Sequence, residues 1–199
     1  QYFSTNVKGL MPTMVEQLYQ ERTVYKKKML EAKQKLENID KKDKKAVQAV
    51  EREINIFENQ QMAVKILMNS LYGAMSNEFF RYYDIRIAES ITVSGQLTIR
   101  WAERTINNWL NNLLKTNKDY VIAIDTDSLY IDFGDFIRSV FKDQTDTNKI
   151  VKFLDKICGE KIEPLLAESY DELKEFMRAP EQKMVMKREV IANKGIWTG

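Results

Sequence analysis

Apolar residues in the first 75 positions recur at helical rather than strand spacing. Met14, Leu18, Val24 or Tyr25, Met29 and Leu36 follow at near-helical intervals, with no Gly or Pro between them, and predict a helix from Thr13 to about Glu37. Pro12, just after Leu10-Met11, is a favourable place for that helix to begin. Asn38 to Asp43 is the one turn-like break. Val47, Val50, Ile54, Phe57, Met62 and Leu67 then carry the pattern over Lys44 to about Met75. Two long helices joined by a short polar link predict an antiparallel hairpin. Its far half is rich in Lys and Glu, so the tip is solvated.

The pattern changes at Ser76 to Asp84, where Phe79, Phe80, Tyr82 and Tyr83 surround Arg81. Such a cluster is either a packed junction or a contact with a nucleic-acid strand, and the packed junction is the expectation. Ala88 to about Leu114 reads as a third long helix, with a core stripe of Ile91, Ile99, Ala102, Ile106, Trp109, Leu110 and Leu113. Tyr120 to Ile124 and Ser128 to Phe133 read as two strands of a β-hairpin with Asp125-Thr126-Asp127 at its apex. A short helix at Phe136 to Phe141 and a loop at Gln144 to Asn148 come next. Lys149 to about Met177 is helical, with Pro164 starting a new helix or kinking this one. Lys183 to Ile191 is a third strand candidate, with Lys187 and Glu189 on one face and Met184, Met186 and Val190 on the other. The fold class is therefore α+β: a long helical hairpin, then helices packed on a small antiparallel sheet.

Composition narrows the chemistry. The chain has 199 residues, net charge +2, one cysteine (Cys158) and no histidine. No intrachain disulfide can form, a zinc site within the chain is effectively excluded, and so is any triad that needs imidazole. Acid, base or metal chemistry falls to carboxylates, lysine or tyrosine, an inventory that suits a hard cation such as Mg2+. The net charge is too small to make the whole chain basic, so a nucleic-acid surface requires local clustering. No apolar run approaches the roughly 20 residues of a membrane helix, and no signal peptide is legible. Both ends read as cut rather than designed.

Two constellations carry candidate chemistry. On a helix, Lys65, Asn69 and Tyr72 fall in one line, with Gly73 beside them. A cation, an amide and an aromatic ring suit the phosphate, hydrogen-bonding edge and flat ring of a nucleotide, or form a polar face that merely meets water. Ile66, Leu67 and Leu71 take other angles and can pack inward. Arg22 and Lys26 share a face of the first helix, near the hairpin base as Lys65 is, and the three can clamp a triphosphate or serve only solubility. In Asp125-Thr126-Asp127, alternation along extended chain lets both carboxylates point the same way. Paired carboxylates beside apolar strands repel unless a cation neutralises them, which favours a metal site over a plain polar turn.

Three separated motifs then coincide. Lys65-x3-Asn69-Ser70-x-Tyr72-Gly73 resembles the fingers motif of family B DNA polymerases, and Asp125-Thr126-Asp127-Ser128 resembles their palm metal motif. Lys187-Arg188-Glu189 and Lys194-Gly195-Ile196-Trp197-Thr198-Gly199 look like the segment before the family's basic DNA-binding loop. Phe80-Arg81-Tyr82-Tyr83-Asp84 and Val7-Lys8-Gly9-Leu10-Met11-Pro12 resemble the T-even-like bacteriophage replicative enzymes. The resemblance implies a palm-to-fingers entry at 1–11, a fingers hairpin at 12–75 and part of the palm at 76–199. It implies template-directed nucleotidyl transfer from a dNTP to a primer 3′ hydroxyl, assisted by two Mg2+ ions. Asp127 and Asp125 are then metal-binding carboxylates, Glu189 lies at the catalytic palm edge, and Arg22, Lys26, Lys65, Asn69 and Tyr72 bind the nucleotide.

The departures matter too. Ile124 stands where the family usually has Gly, Lys187 where phage relatives carry an acid, and the fingers tip is shorter than in some phage relatives. The family's upstream Asp-x-x-Ser-Leu-Tyr-Pro-Ser motif is absent, so one metal-binding carboxylate is missing from this chain. The implied partners are primer-template DNA, dNTP, the remaining polymerase segments (exonuclease, thumb, rest of the palm) in cis or as a separate chain, and a sliding clamp. The implied setting is the cytoplasm of a host cell, with no membrane. The alternative is a non-catalytic nucleic-acid-binding or assembly subunit that keeps the fold.

Overall fold

A computed structural model describes residues 6–141 and 146–196. Part of the expected loop at Gln144 to Asn148, the start of the entry segment and the closing Trp197-Thr198-Gly199 lie outside the described residues. The chain divides into two compact units, 1–90 and 91–199.

The first unit is built on α1 (Leu10–Asn38) and α2 (Lys44–Met75). Pro12 sits third in α1, where its missing N–H would have had no intrahelical partner. Thr13 bonds back to the Gly9 carbonyl through its N–H (3.2 Å) and its hydroxyl (2.9 Å), which closes the first turn without a side-chain cap on Gly9. Between the helices, Asp40 Oδ1 accepts the Lys42 N–H at 3.0 Å, and Asp43 caps α2 by accepting the Ala46 N–H at 3.1 Å. Met29, Ala32 and Ile54 form the buried seam, with Leu36, Val50 and Phe57 packed against it. Lys35 pairs with Glu53 at 3.7 Å, and Lys28 lies over the Phe57 ring at 5.6 Å, which fixes the antiparallel register. Ile66 and Leu67 do not pack inward; they are 58% and 55% exposed. The inward stripe of α2 runs through Phe57, Gln61, Val64, Met68 and Leu71, and Ile66 and Leu67 fall outside it.

After α2 the chain leaves the helix through Ser76, whose hydroxyl donates to the Gly73 carbonyl at 2.8 Å. The packed junction expected here is only partly formed. Phe80 is half-buried and meets Tyr82 edge-on at 5.9 Å, while Phe79 is 90% exposed. Asn77 Oδ1 accepts the Phe79 N–H at 3.0 Å, so an Asx turn directs the chain here in place of aromatic packing.

In the second unit, α3 (Ile85–Leu114, which begins in the first unit) lays Ala102, Ile106 and Leu110 into the core. Ile91 and Leu113, expected in the same stripe, are 47% and 49% exposed. The sheet has two antiparallel strands, β1 (Val121–Asp125) and β2 (Ser128–Ile131). Val121 pairs with Ile131 and Ala123 with Tyr130, leaving Ile122 as the extra residue of a bulge. Val121, Leu129 and Ile131 join the core. A side-chain frame ties the strand entry to α3: Asn107 Oδ1 accepts the Tyr120 N–H at 2.8 Å, and Asn111 Oδ1 accepts the Lys118 N–H at 2.8 Å.

Three helices complete the unit: α4 (Gly134–Phe141), α5 (Thr147–Ile157) and α6 (Glu163–Met177). Between α5 and α6 runs a π-helical turn, Cys158–Ile162, closed by a bond from the Glu163 N–H to the Cys158 carbonyl. Pro164 explains its position: it lacks an N–H, and its ring clashes with the carbonyl four residues back in a regular helix. Lys183 to Ile191 does not form the expected third strand. Alternation gives extended chain, but a strand also needs a backbone ladder. This segment is held by side chains instead. Tyr170 Oη donates to Met186 Sδ at 4.0 Å, Glu163 Oε1 accepts the Arg188 N–H at 3.3 Å, and the Arg188 guanidinium pairs with Asp155.

Candidate active site

The first constellation lies in the hairpin unit. Lys65, Asn69 and Tyr72 stand on one face of α2, the first two exposed and Tyr72 42% exposed. A Cβ built on Gly73 meets nothing within 4 Å, so the surface beside Tyr72 is open. On α1, Lys26 is exposed one turn from Arg22. Arg22 is half-buried, and its Nε is buried with no hydrogen-bond partner among the described residues. A desolvated guanidinium N–H without an acceptor is costly, and an anion is the group that would satisfy it.

The register of the hairpin sets Arg22 against Lys65. From the Lys28–Phe57 contact, six residues back along α1 reach Arg22 and six forward along α2 reach Ala63. Lys65 is within a turn of that level. Lys26 stands one turn, about 6 Å, further toward the tip.

The second constellation lies on the β-hairpin. Asp125 closes it opposite Ser128, and Thr126 and Asp127 make a two-residue turn. Asp125 and Asp127 are both exposed. Only Asp125 is a strand residue, so strand alternation does not relate the two carboxylates; the turn does. Thr126 has φ 49°, the left-handed region that a β-branched residue rarely enters. Its hydroxyl donates to Asp125 Oδ1 at 3.1 Å, and the Ser128 hydroxyl donates to the Asp125 carbonyl at 3.0 Å. Sequence reasoning passed over these two clasps and the exposed Phe79, although Asn77 ahead of it is a turn signal.

The donor chemistry at this turn fits a hard cation, but the set is short. Among the described residues no group of three or more His, Cys, Asp or Glu could hold a metal ion. Two carboxylates flanking Thr126 are a partial ligand set. Glu189 is exposed in the irregular segment after α6, where its carbonyl accepts from Arg188 Nη1 at 3.3 Å. Among the described residues, no helix is long and apolar enough to cross a membrane.

The comparison of sequences defines the class. The model of DNA polymerase family B matches residues 1–162, and the chain belongs to that family. It is 42% identical over 149 residues to the DNA-directed DNA polymerase of Escherichia phage RB69, covering 70% of this chain and 16% of the relative. To the DNA-directed DNA polymerase of Enterobacteria phage T4 it is 40% identical over 151 residues, covering 73% and 16%. A DNA polymerase beta of African swine fever virus is 28% identical over 156 residues, covering 77% and 12%. The chain thus spans about 16% of the length of its two phage relatives.

Proposed function

We propose that this chain supplies the fingers (12–75) and part of the palm (76–199) of a DNA-directed DNA polymerase, as one piece of a larger or split enzyme. The reaction is nucleotidyl transfer from a dNTP to a primer 3′ hydroxyl on a DNA template. The observation that carries this reading is the unpartnered, buried Arg22 Nε, level in the hairpin with Lys65. Together with Lys26 these cations bind the triphosphate and neutralise its charge. Tyr72 offers a flat apolar surface to the incoming base pair, beside the space left open at Gly73. Asn69, on the same face, contributes an amide to the nucleotide.

Asp125 and Asp127 would hold Mg2+, with a further carboxylate supplied from outside this chain. When bound, two such ions stabilise the charge of the attacking and departing oxygens. Thr126 and Ser128 keep Asp125 oriented, and Glu189 belongs to the palm edge. Motion of the fingers hairpin would present its cations to the triphosphate and couple selection to fit. The remaining segments of the polymerase and a sliding clamp are partners in this reading, and the cytoplasm of a host cell its setting.

Two experiments test it. The 199-residue chain alone should give no primer extension, because its carboxylate set is incomplete; measurable extension would overturn that. In a completed enzyme, Asp127→Ala should abolish turnover and leave primer-template binding intact. Near wild-type turnover would remove Asp127 from the metal site.

A further inference from the structure

The link between α1 and α2 holds a charge imbalance that the fold does not use. Lys41, Lys42, Lys44 and Lys45 fall within five consecutive positions, and all four are exposed. The chain carries 31 Lys and Arg against 29 Asp and Glu. Residues 40–45 contain four of the cations and two of the anions, so 31 less four and 29 less two leave 27 of each elsewhere. Residues 40–45 thus carry a net charge of +2 at the hairpin tip, equal to that of the whole chain.

The two aspartates there offset half of the lysine charge, and each also holds a backbone N–H. Asp40 Oδ1 holds the Lys42 N–H at 3.0 Å, and Asp43 Oδ1 holds the Ala46 N–H at 3.1 Å as the cap of α2. None of the four lysines makes an ion pair among the described residues. Lys44 and Lys45 open α2, where the helix dipole is positive and cations are disfavoured, and no acidic residue occupies that first turn. Mutual repulsion adds to the cost. Solubility would be served as well by cations spread along the hairpin, so the concentration points to an anion outside the chain.

We propose that the hairpin tip binds the phosphodiester backbone of DNA, without reading its sequence. Residues 40–45 contain no aromatic, arginine or apolar side chain, so they lack what a protein partner would bury and what stacks on a base. Four ammonium groups on flexible stems suit a run of phosphates, each met as a point charge. The inference is independent of the nucleotide clamp at the hairpin base.

The test titrates a short, labelled, mixed-sequence DNA single strand with the 199-residue chain, following anisotropy across a series of NaCl concentrations. The comparison is the variant Lys41→Gln, Lys42→Gln, Lys44→Gln, Lys45→Gln. The variant should bind at least about tenfold more weakly at low salt, with the log–log salt slope smaller by about 2–3, since each phosphate contact contributes about 0.7. Its thermal melt should be no lower than wild type, because glutamine is a good helix former and removes cations from the start of α2. If it nevertheless misfolds, the pair Lys41→Gln, Lys42→Gln lies outside both helices and should give about half the slope change. Lys65→Gln should keep the wild-type slope while losing nucleotide binding, which separates this site from the clamp. Unchanged affinity and slope in the tip variants would overturn the proposal. So would loss of poly-glutamate binding with DNA binding unchanged, which would assign the tip to an acidic protein segment.

Discussion

Thr126 Oγ1 donates to Asp125 Oδ1 at 3.1 Å from a backbone held at φ 49°. One residue thus carries a strained turn and a clasp on the neighbouring carboxylate. Strain of this kind amounts to about 1–3 kcal/mol. Thr126→Gly removes it at an entropic cost of about 0.5–1 kcal/mol and also loses the clasp, so it should be more stable than Thr126→Val by up to about 2.5 kcal/mol in denaturant titration. Thr126→Val keeps the branched side chain and loses the hydroxyl, and should lose about 1 kcal/mol. A stabilised valine variant would contradict this account.

The core of the second unit and the exposed apolar residues of the first should respond very differently to truncation. Ile106 is fully buried, and Ile106→Ala should cost about 2–5 kcal/mol in equilibrium unfolding. Ile66 is 58% exposed, so Ile66→Ser should stay within about 0.5 kcal/mol. Comparable losses from both would mean that Ile66 is covered in solution.

Asp135 links the strand entry to α4. Its Oδ2 accepts from Lys118 at 2.7 Å and its Oδ1 from Arg138 at 2.5 Å. The Lys118 hydrogen bond, then that from Arg138, lowers the carboxyl pKa from its ordinary value, and the Lys118 pKa is raised chiefly by the same bond to Asp135. A lowered carboxyl pKa gives stability that is present above the ordinary carboxylate range and is lost as pH falls through the folded value. A raised lysine pKa gives stability that is present below the ordinary lysine range and is lost as pH rises through the folded value. Asp135→Asn should therefore flatten the stability curve below about pH 4 and above about pH 10. Both differences should shrink in high salt, since the pair is exposed. Identical curves for the variant and wild type would remove the linkage.

In a completed polymerase, Arg22→Ala and Lys65→Ala should each weaken nucleotide use by roughly 10- to 150-fold, the range for losing a charge-assisted hydrogen bond. Arg22→Lys should recover little, because Arg22 is half-buried with an aimed N–H that an ammonium does not reproduce. Titration of the dNTP in single-turnover assays measures this, and an unchanged nucleotide response in Lys65→Ala would argue against the clamp.

Legibility followed physical scale. The α1–α2 hairpin was readable to within three residues at each boundary, because long uninterrupted periodicity and the Asn38–Asp43 break both report local chain chemistry. The Asp125–Ser128 apex was readable because two apolar runs bracket it. What escaped depends on partners distant in sequence. Lys183 to Ile191 alternates like a strand, yet Glu163, Tyr170 and Asp155 hold it by side chains, and no spacing rule announces that. The buried Nε of Arg22 is equally invisible in sequence, where arginine reads as surface. Phe79 misled because aromatic content suggests packing, and the Asx turn at Asn77 overrides it.

The widened turn at Cys158–Ile162 gives the α5–α6 run an unusual tolerance to changes in chain length. A π turn amounts to one residue inserted into an α-helix. Deleting one residue from 158–162, with Pro164 exchanged for alanine, would return the run to a single α-helical register with its core-facing side chains retained. The same deletion further along would swing Leu166, Tyr170 and Leu173 off the core by about 100°. A one-residue deletion is therefore absorbed at this turn and nowhere further along α6, and the turn includes the buried Cys158.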